Sequence, residues 1–392
     1  MQSMKNTDIV ILSNIEWTMN WQRQQIFASY FSQIYRKVVF VESQGKRNPK
    51  LTDLPRIVDR LSRFLIKRGR RDLNDKEGSP ANLTIISPLV LPSTLRFLRK
   101  INRLVFIPSL VKSIQKQGVL NPVVINYLPT QTSIDTMTLL QPGLTVYDCV
   151  ENFPAYPGVP KDTAYIEEKI LKSSDLVFTD SEFLYLKAKS MREDVERILP
   201  GVDYELFQRA DTGPFKGSIR SLCFFGGINA RRIDFDLLMN IANSGNFTID
   251  MIGPVDSRIP SFPGNVVFHG PVPYAELPEY LKKTDAFIFP YRLTDFTRGI
   301  IPAKLFECFA TGKPVIATPL PSFQLYSDLI HTGENTEELV EIIHNMRSLE
   351  KEGSYHKRKK AAQKSSWKSR LSDVIFHIEK KYQQKRIDSK RE

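Results

Sequence analysis

Short runs of Val, Ile, Leu and Phe recur along this chain, each followed by a segment with helical spacing, and the series begins twice. The first series reads as strands at Asp8–Ser13, Lys37–Glu42, Leu83–Ile86, Val123–Asn126, Leu144–Tyr147, Leu176–Thr179 and Arg197–Leu199. Pro, Gly and Asp then crowd residues 200–218, and a second series follows at Leu222–Phe225, Thr248–Ile252, Val266–Phe268, Ala286–Phe289 and Pro314–Ala317. Strands this uniformly apolar are buried on both faces, which calls for parallel pairing under covering helices. The pattern predicts an α/β protein with two Rossmann-like domains, residues 1–205 and 206–364, followed by a basic helix and tail over 365–392. A length of 392 residues suits two domains of ordinary size.

Charge narrows the partners. The formal net charge is +12, which favours nucleic acid, an anionic membrane or phosphorylated ligands. Helix-turn-helix, zinc-finger and aromatic RNA-binding signatures are missing, so nucleic acid is not the expected partner. Cys149, Cys223 and Cys308 lie far apart without a CxxC pair, which predicts no zinc site, no disulfide framework and a reducing compartment. The polar start and the short apolar run Ile9–Leu12 do not read as a signal peptide. No run approaches the roughly 20 apolar residues of a membrane span, so membrane contact is expected to be peripheral.

Pro302-Ala-Lys-Leu-Phe-Glu-Cys-Phe-Ala-Thr-Gly-Lys-Pro-Val-Ile-Ala-Thr-Pro319 is the most informative segment. It predicts a helix with Pro302 at its first position, ended by Gly312 and followed by a strand. Lys304 and Glu307 then share one face at the helix N-terminus, where free N–H groups and the dipole favour a phosphate. Lys304 supplies a point charge, and Glu307 can accept hydrogen bonds from ribose hydroxyls. Taken singly, the two would be an ordinary surface ion pair.

This run resembles the donor-site motif of GT-B glycosyltransferases, especially family 4 and its relatives. The resemblance extends over residues 140–320: Asp175-Leu-Val-Phe-Thr-Asp-Ser181, Pro200-Gly-Val-Asp203, Phe224-Phe-Gly-Gly227, Phe268-His-Gly270 and Asp285-Ala-Phe-Ile-Phe-Pro290 occur in the family's order. Length and the segments 17–23 and 147–153 are most similar to the glycosyltransferases of teichuronic acid biosynthesis in bacilli. The resemblance implies a GT-B architecture: two Rossmann-like domains facing across a cleft, with the C-terminal helix returning to the N-terminal domain. It also implies metal-independent transfer, without a cofactor, from a nucleotide-sugar co-substrate. A UDP-sugar is expected, UDP-glucuronate among the candidates. Gly226 and Gly227 would let the backbone approach the diphosphate, and Arg231 and Arg232 would balance its charge. His269 is a further donor-side candidate.

One departure stands out. Many family 4 members carry a second glutamate eight positions before the ribose-binding one, and here that position is Gly299. Retention or inversion is therefore open. Arg292 and Arg298, in the preceding loop, are candidates to pair with the carboxylate of a uronic acid donor. On the acceptor side, Asp148 and then Glu151 leave a strand end, where an inverting enzyme needs a base. Trp17, Trp21 and Arg23, after the first strand, are candidates to line the acceptor cleft.

From Lys46 to Lys116 there are 17 Lys and Arg against 5 Asp and Glu. Two stretches, Arg60–Arg71 and Arg96–Phe106, mix basic and apolar residues at helical spacing, as segments lying on an anionic leaflet do. The expected function is transfer of a sugar to a lipid-linked cell-envelope acceptor such as a teichuronic acid precursor, in the cytoplasm at the inner membrane face. The alternatives are a sugar-nucleotide epimerase and a non-catalytic sugar-nucleotide binder.

Overall fold

The computed structural model describes residues 6–19, 21–43, 70–71, 80–91, 96–245, 247–255 and 258–388. The chain forms two compact units, each with its own sheet and core.

The first unit comprises Met1–Asp180, Leu184–Ile198 and Leu371–Glu392. Its strands are β1 (Asp8–Leu12), β2 (Lys37–Val41), β3 (Arg70–Arg71), β4 (Leu83–Ile86), β5 (Val123–Asn126), β6 (Leu144–Cys149), β7 (Leu176–Thr179) and β8 (Val195–Arg197). They lie in the order β3-β4-β2-β1-β5-β6-β7-β8. Every pair is parallel except β3 with β4. All five residues of β1 are buried, because this central strand is covered on both faces. Strand order reverses between β1 and β5, and the carboxyl ends on either side of such a reversal are where polar side chains can gather. The last helix, Trp367–Asp388, lies mostly in this unit. It is held there by Lys385 to Asp175 at 2.8 Å and His377 to Glu196 at 3.2 Å.

The second unit, Ser181–Phe183 and Leu199–Arg370, carries β9 (Ser221–Phe225), β10 (Thr248–Ile252), β11 (Val266–Gly270), β12 (Ala286–Phe289), β13 (Val315–Ala317) and β14 (His331–Thr332). All pairs are parallel, in the order β11-β10-β9-β12-β13-β14, so this sheet reverses between β9 and β12.

Three expectations shift. The strand read at Arg197–Leu199 is Val195–Arg197, because Ile198 and Leu199 carry the chain from one unit into the other. The donor-motif helix runs Lys304–Thr311, not from Pro302. Leu305 and Phe306 donate to the carbonyls of Pro302 and Ala303, so those two residues form a lead-in turn. The two-residue strands β3 and β14 are too short to leave a sequence pattern. Of the basic stretch, Arg60–Arg68 and the rest of 44–69 lie outside the described residues.

Candidate functional site

The second unit concentrates charge at the carboxyl ends of β9 and β11. The helix Lys304–Thr311 begins here, and Gly312 ends it in the left-handed conformation at φ 75°. Its buried face of Leu305, Phe306, Cys308 and Phe309 fixes the helix on the core and leaves Lys304 and Glu307 half-exposed on the other side.

The Lys304 ammonium lies over the Phe224 ring, 5.0 Å from its centroid. It forms no ion pair or hydrogen bond among the described residues. Burial and the neighbouring Arg232 cation lower its pKa to about 8. The Arg232 guanidinium stands over Phe296 at 5.7 Å, likewise with no carboxylate partner among the described residues. Two unpaired cations side by side repel each other, and an anion between them removes that cost.

Gly226 makes room for Lys304. It adopts φ 122°, and a Cβ there would lie 1.9 Å from Lys304 Nζ. Beneath it Gly253, at φ 138°, has no space for a Cβ, which would come within 2.1 Å of the Gly226 carbonyl oxygen. Gly227 is open, with nothing closer than 3.9 Å to such a position.

Glu307 accepts a hydrogen bond from the Tyr274 hydroxyl at 2.9 Å. Burial raises the Glu307 carboxyl to about 7, although the Tyr274 hydrogen bond and Lys304 pull the other way. Tyr274 stands edge-on to Phe207 at 5.3 Å and still keeps nearly half its surface, 48%, exposed. This tyrosine was not anticipated from the sequence, where it is one aromatic in a proline-flanked loop.

The other donor-side candidates disperse. Arg231 is exposed. His269 pairs with Asp250 at 2.6 Å and stands against Tyr280, so its ring is engaged on the sheet surface, with no contact to Lys304 or Glu307. Arg292 donates to the Ile233 carbonyl at 3.3 Å. Arg298 is exposed and faces Asp295 at 3.4 Å. Lys313, in the same motif, is buried, and its ammonium donates to the carbonyls of Leu281, Lys282 and Thr284 at 2.6–2.8 Å. It ties the end of the helix Leu277–Leu281 to the sheet.

The first unit holds a second cluster. Asp148, in β6, is fully buried and accepts a 2.8 Å hydrogen bond from Arg23 Nε. Arg23 is buried too and also donates to the Ile198 carbonyl. Asp148 Oδ1, Arg23 Nη2, the Tyr127 hydroxyl and Asp180 Oδ1 are buried there without hydrogen-bond partners. Burial pushes the Asp180 carboxyl well above the usual carboxylate range, although the Arg23 cation pulls it down. Asp148, expected as the base, and Arg23, expected to line the acceptor cleft, are thus both buried. Glu151, in the loop that follows, is half-exposed. Trp17 packs on Phe40 at 5.0 Å and touches Trp21, which is 58% exposed.

With this geometry in place, residues 222–347 match the family model described as Glycosyl transferases group 1. The matched stretch contains Gly226, Arg232, Tyr274, Lys304 and Glu307. Among curated proteins, the chain is similar to TuaH of Bacillus subtilis (strain 168), whose name assigns it to teichuronic acid biosynthesis as a glycosyltransferase. Identity is 29% over 206 residues, covering 45% of this chain and 51% of TuaH, so the chain spans about half the length of that relative. Among solved structures, sucrose-phosphate synthase from Thermosynechococcus elongatus superposes with a TM-score of 0.65 at 16% identity, covering 96% of this chain and 99% of that one. Anabaena HepE, solved with UDP and glucose, gives 0.64 at 10% identity over 96% and 100%. Likeness at such identities is one of fold, and the fold is GT-B.

Proposed function

We propose that this chain is a glycosyltransferase that moves a sugar from a UDP-sugar to a lipid-linked cell-envelope acceptor, such as a precursor of teichuronic acid, at the inner face of the membrane. One observation carries the donor half of this reading. Lys304 and Arg232 stand half-buried with no carboxylate partner among the described residues, Lys304 against Gly226, whose φ of 122° strains any other residue, and Glu307 lies one helical turn from Lys304. A nucleoside diphosphate supplies what this arrangement lacks: charge for the two cations and hydroxyls for the carboxylate. Arg232 and Lys304 would also stabilise the diphosphate as it leaves, without a metal. The names of TuaH and of the HepE complex agree with the chemistry proposed.

Support for a lipid-linked acceptor comes from the first unit. Phe97, Leu104 and Val105 are 60%, 67% and 56% exposed, interleaved with exposed Lys100 and Arg103. Apolar side chains standing among basic ones suit an anionic leaflet. Among the described residues no helix is long and apolar enough to cross a membrane. In the Tyr147–Phe153 segment Asp148 and Glu151 are the candidates to take the proton of an acceptor hydroxyl, Glu151 being half-exposed. Arg298, exposed and paired among the described residues with Asp295 alone, is the candidate for a uronic acid carboxylate.

The test is calorimetric titration of the full chain with UDP in excess EDTA. UDP binds with micromolar affinity under these conditions, and Glu307→Ala weakens it about tenfold or more. Absence of UDP binding, or binding that appears only with Mg²⁺ or Mn²⁺, overturns the metal-free donor site.

A further inference from the structure

The loop 13–22 leaves the carboxyl end of β1 in the first unit and presents an aromatic side chain that the donor site does not use. Strand order reverses between β1 and β5, so this loop stands at the edge where ligands of such sheets bind. Trp21 is 58% exposed, and Thr18, Met19 and Gln22 beside it in the chain are exposed as well. Leaving so large an apolar side chain in water forgoes the stabilisation that its burial would bring.

The loop is braced so that the indole stays outside. Glu42, buried at the end of β2, accepts the Trp17 N–H at 2.9 Å on one carboxylate oxygen and the Ser87 hydroxyl on the other. Gln25, also buried, accepts the Gln22 N–H at 2.8 Å and turns its amide to the carbonyls of Glu16, Trp17 and Met19 at 3.3–3.4 Å. On this frame Trp17 stands edge-on to Phe40 at 5.0 Å, and Trp21 edge-on to Trp17 at 5.7 Å. A side chain already ordered in the free protein loses little freedom when a ligand covers it.

We propose that Trp21 is a stacking platform for a pyranose ring of the acceptor saccharide, flanked by the hydrogen-bonding side chains of Thr18 and Gln22. The inference rests on the acceptor half of the reading above and says which part of the acceptor meets this loop: the sugar, not the lipid. A pyranose has an apolar C–H face and a rim of hydroxyls. An indole covers the first, and hydroxyl and amide side chains serve the second. Charge separates this loop from the exposed apolar side chains elsewhere in the unit. From Ser13 to Gln22 the chain carries Glu16 and no Lys or Arg, whereas Phe97 and Leu104 are interleaved with Arg99, Lys100 and Arg103. An anionic leaflet attracts the second group and not the first.

The experiment titrates the full chain with methyl β-glucopyranoside and methyl N-acetyl-β-glucosaminide, followed by indole fluorescence and by saturation transfer to the glycoside. Cosedimentation with phosphatidylglycerol vesicles and calorimetry with UDP run in parallel. Wild type binds at least one glycoside with millimolar affinity, and Trp21→Ala weakens it about tenfold. Trp21→Phe, which keeps a ring, weakens it by about threefold. Vesicle binding and UDP affinity stay within about twofold in both variants, which a tryptophan needed only for folding would not allow. A wild type that binds neither glycoside, or a Trp21→Ala variant that binds them unchanged, overturns the proposal. So does loss of vesicle binding in Trp21→Ala, which would make the residue a membrane anchor. Failure of wild type to bind UDP, with glycoside binding still dependent on Trp21, overturns the donor reading and leaves the platform standing.

Discussion

Two clusters of the same make-up, a cation, a carboxylate and a phenol, occur one in each unit, and they behave as opposites. In the first unit, Arg23, Asp148 and Tyr127 are all buried, and the guanidinium is engaged by Asp148 and the Ile198 carbonyl. In the second, Lys304, Glu307 and Tyr274 are all partly exposed. There the tyrosine holds the carboxylate, and among the described residues the cation has only an aromatic face. A cation, a carboxylate and a phenol therefore do not define a ligand site. What separates the two is whether the cation has a carboxylate partner: Arg23 has Asp148, even though Arg23 Nη2 and Asp148 Oδ1 are left over, and Lys304 has none among the described residues. A closed ion pair offers little to a ligand, whereas an open cation beside another cation is stabilised by one.

The comparison breaks most visibly through stability. Arg23→Met leaves Asp148 buried with no counter-charge, and such losses cost about 3–5 kcal/mol. The same change at half-exposed Lys304 costs under about 1 kcal/mol. Urea unfolding of both variants should separate them clearly, and equal midpoints would mean that the first cluster is as open as the second.

A smaller effect is expected at the glycine that makes room for Lys304. Gly226→Ala forces a side chain into a left-handed conformation at φ 122° and into the ammonium. About 1–3 kcal/mol of stability goes with it, and UDP affinity falls because Lys304 is displaced. Gly227→Ala, whose Cβ position is open, is the control that leaves UDP affinity within about twofold.

The subtlest effect is on pH dependence. Glu307, raised to about 7 by burial, accepts from ribose more strongly when ionised, so UDP affinity falls as pH drops through that value. Lys304, lowered to about 8 by burial and Arg232, attracts the diphosphate only when protonated, so affinity falls again as pH rises through its value. The bound anion favours the protonated lysine and extends the alkaline limit upward. Glu307→Gln should flatten the acid limb and Lys304→Met the alkaline one. A limb that survives loss of its own residue belongs to another group.

Much of this was legible in the residues as written. Uniformly apolar strands repeated in two series dictate parallel sheets, and both sheets are there. The run from Pro302 to Pro319 places Lys304 and Glu307 one helical turn apart by covalent spacing alone, and Gly312 stops the helix because its backbone takes a conformation other residues avoid. Such features depend on near neighbours, so the sequence determines them by itself.

Pairing across long separations did not show. Tyr274 meets Glu307 from 33 residues away, and Arg23 meets Asp148 from 125. Lys313 and Lys304 share one motif, yet one donates to three backbone carbonyls inside the unit while the other stands free at its edge. Sequence specifies which charges a chain carries and where helices and strands expose them. Only the tertiary structure decides which of those charges are desolvated and which have found partners, because both depend on side chains brought together by the sheets.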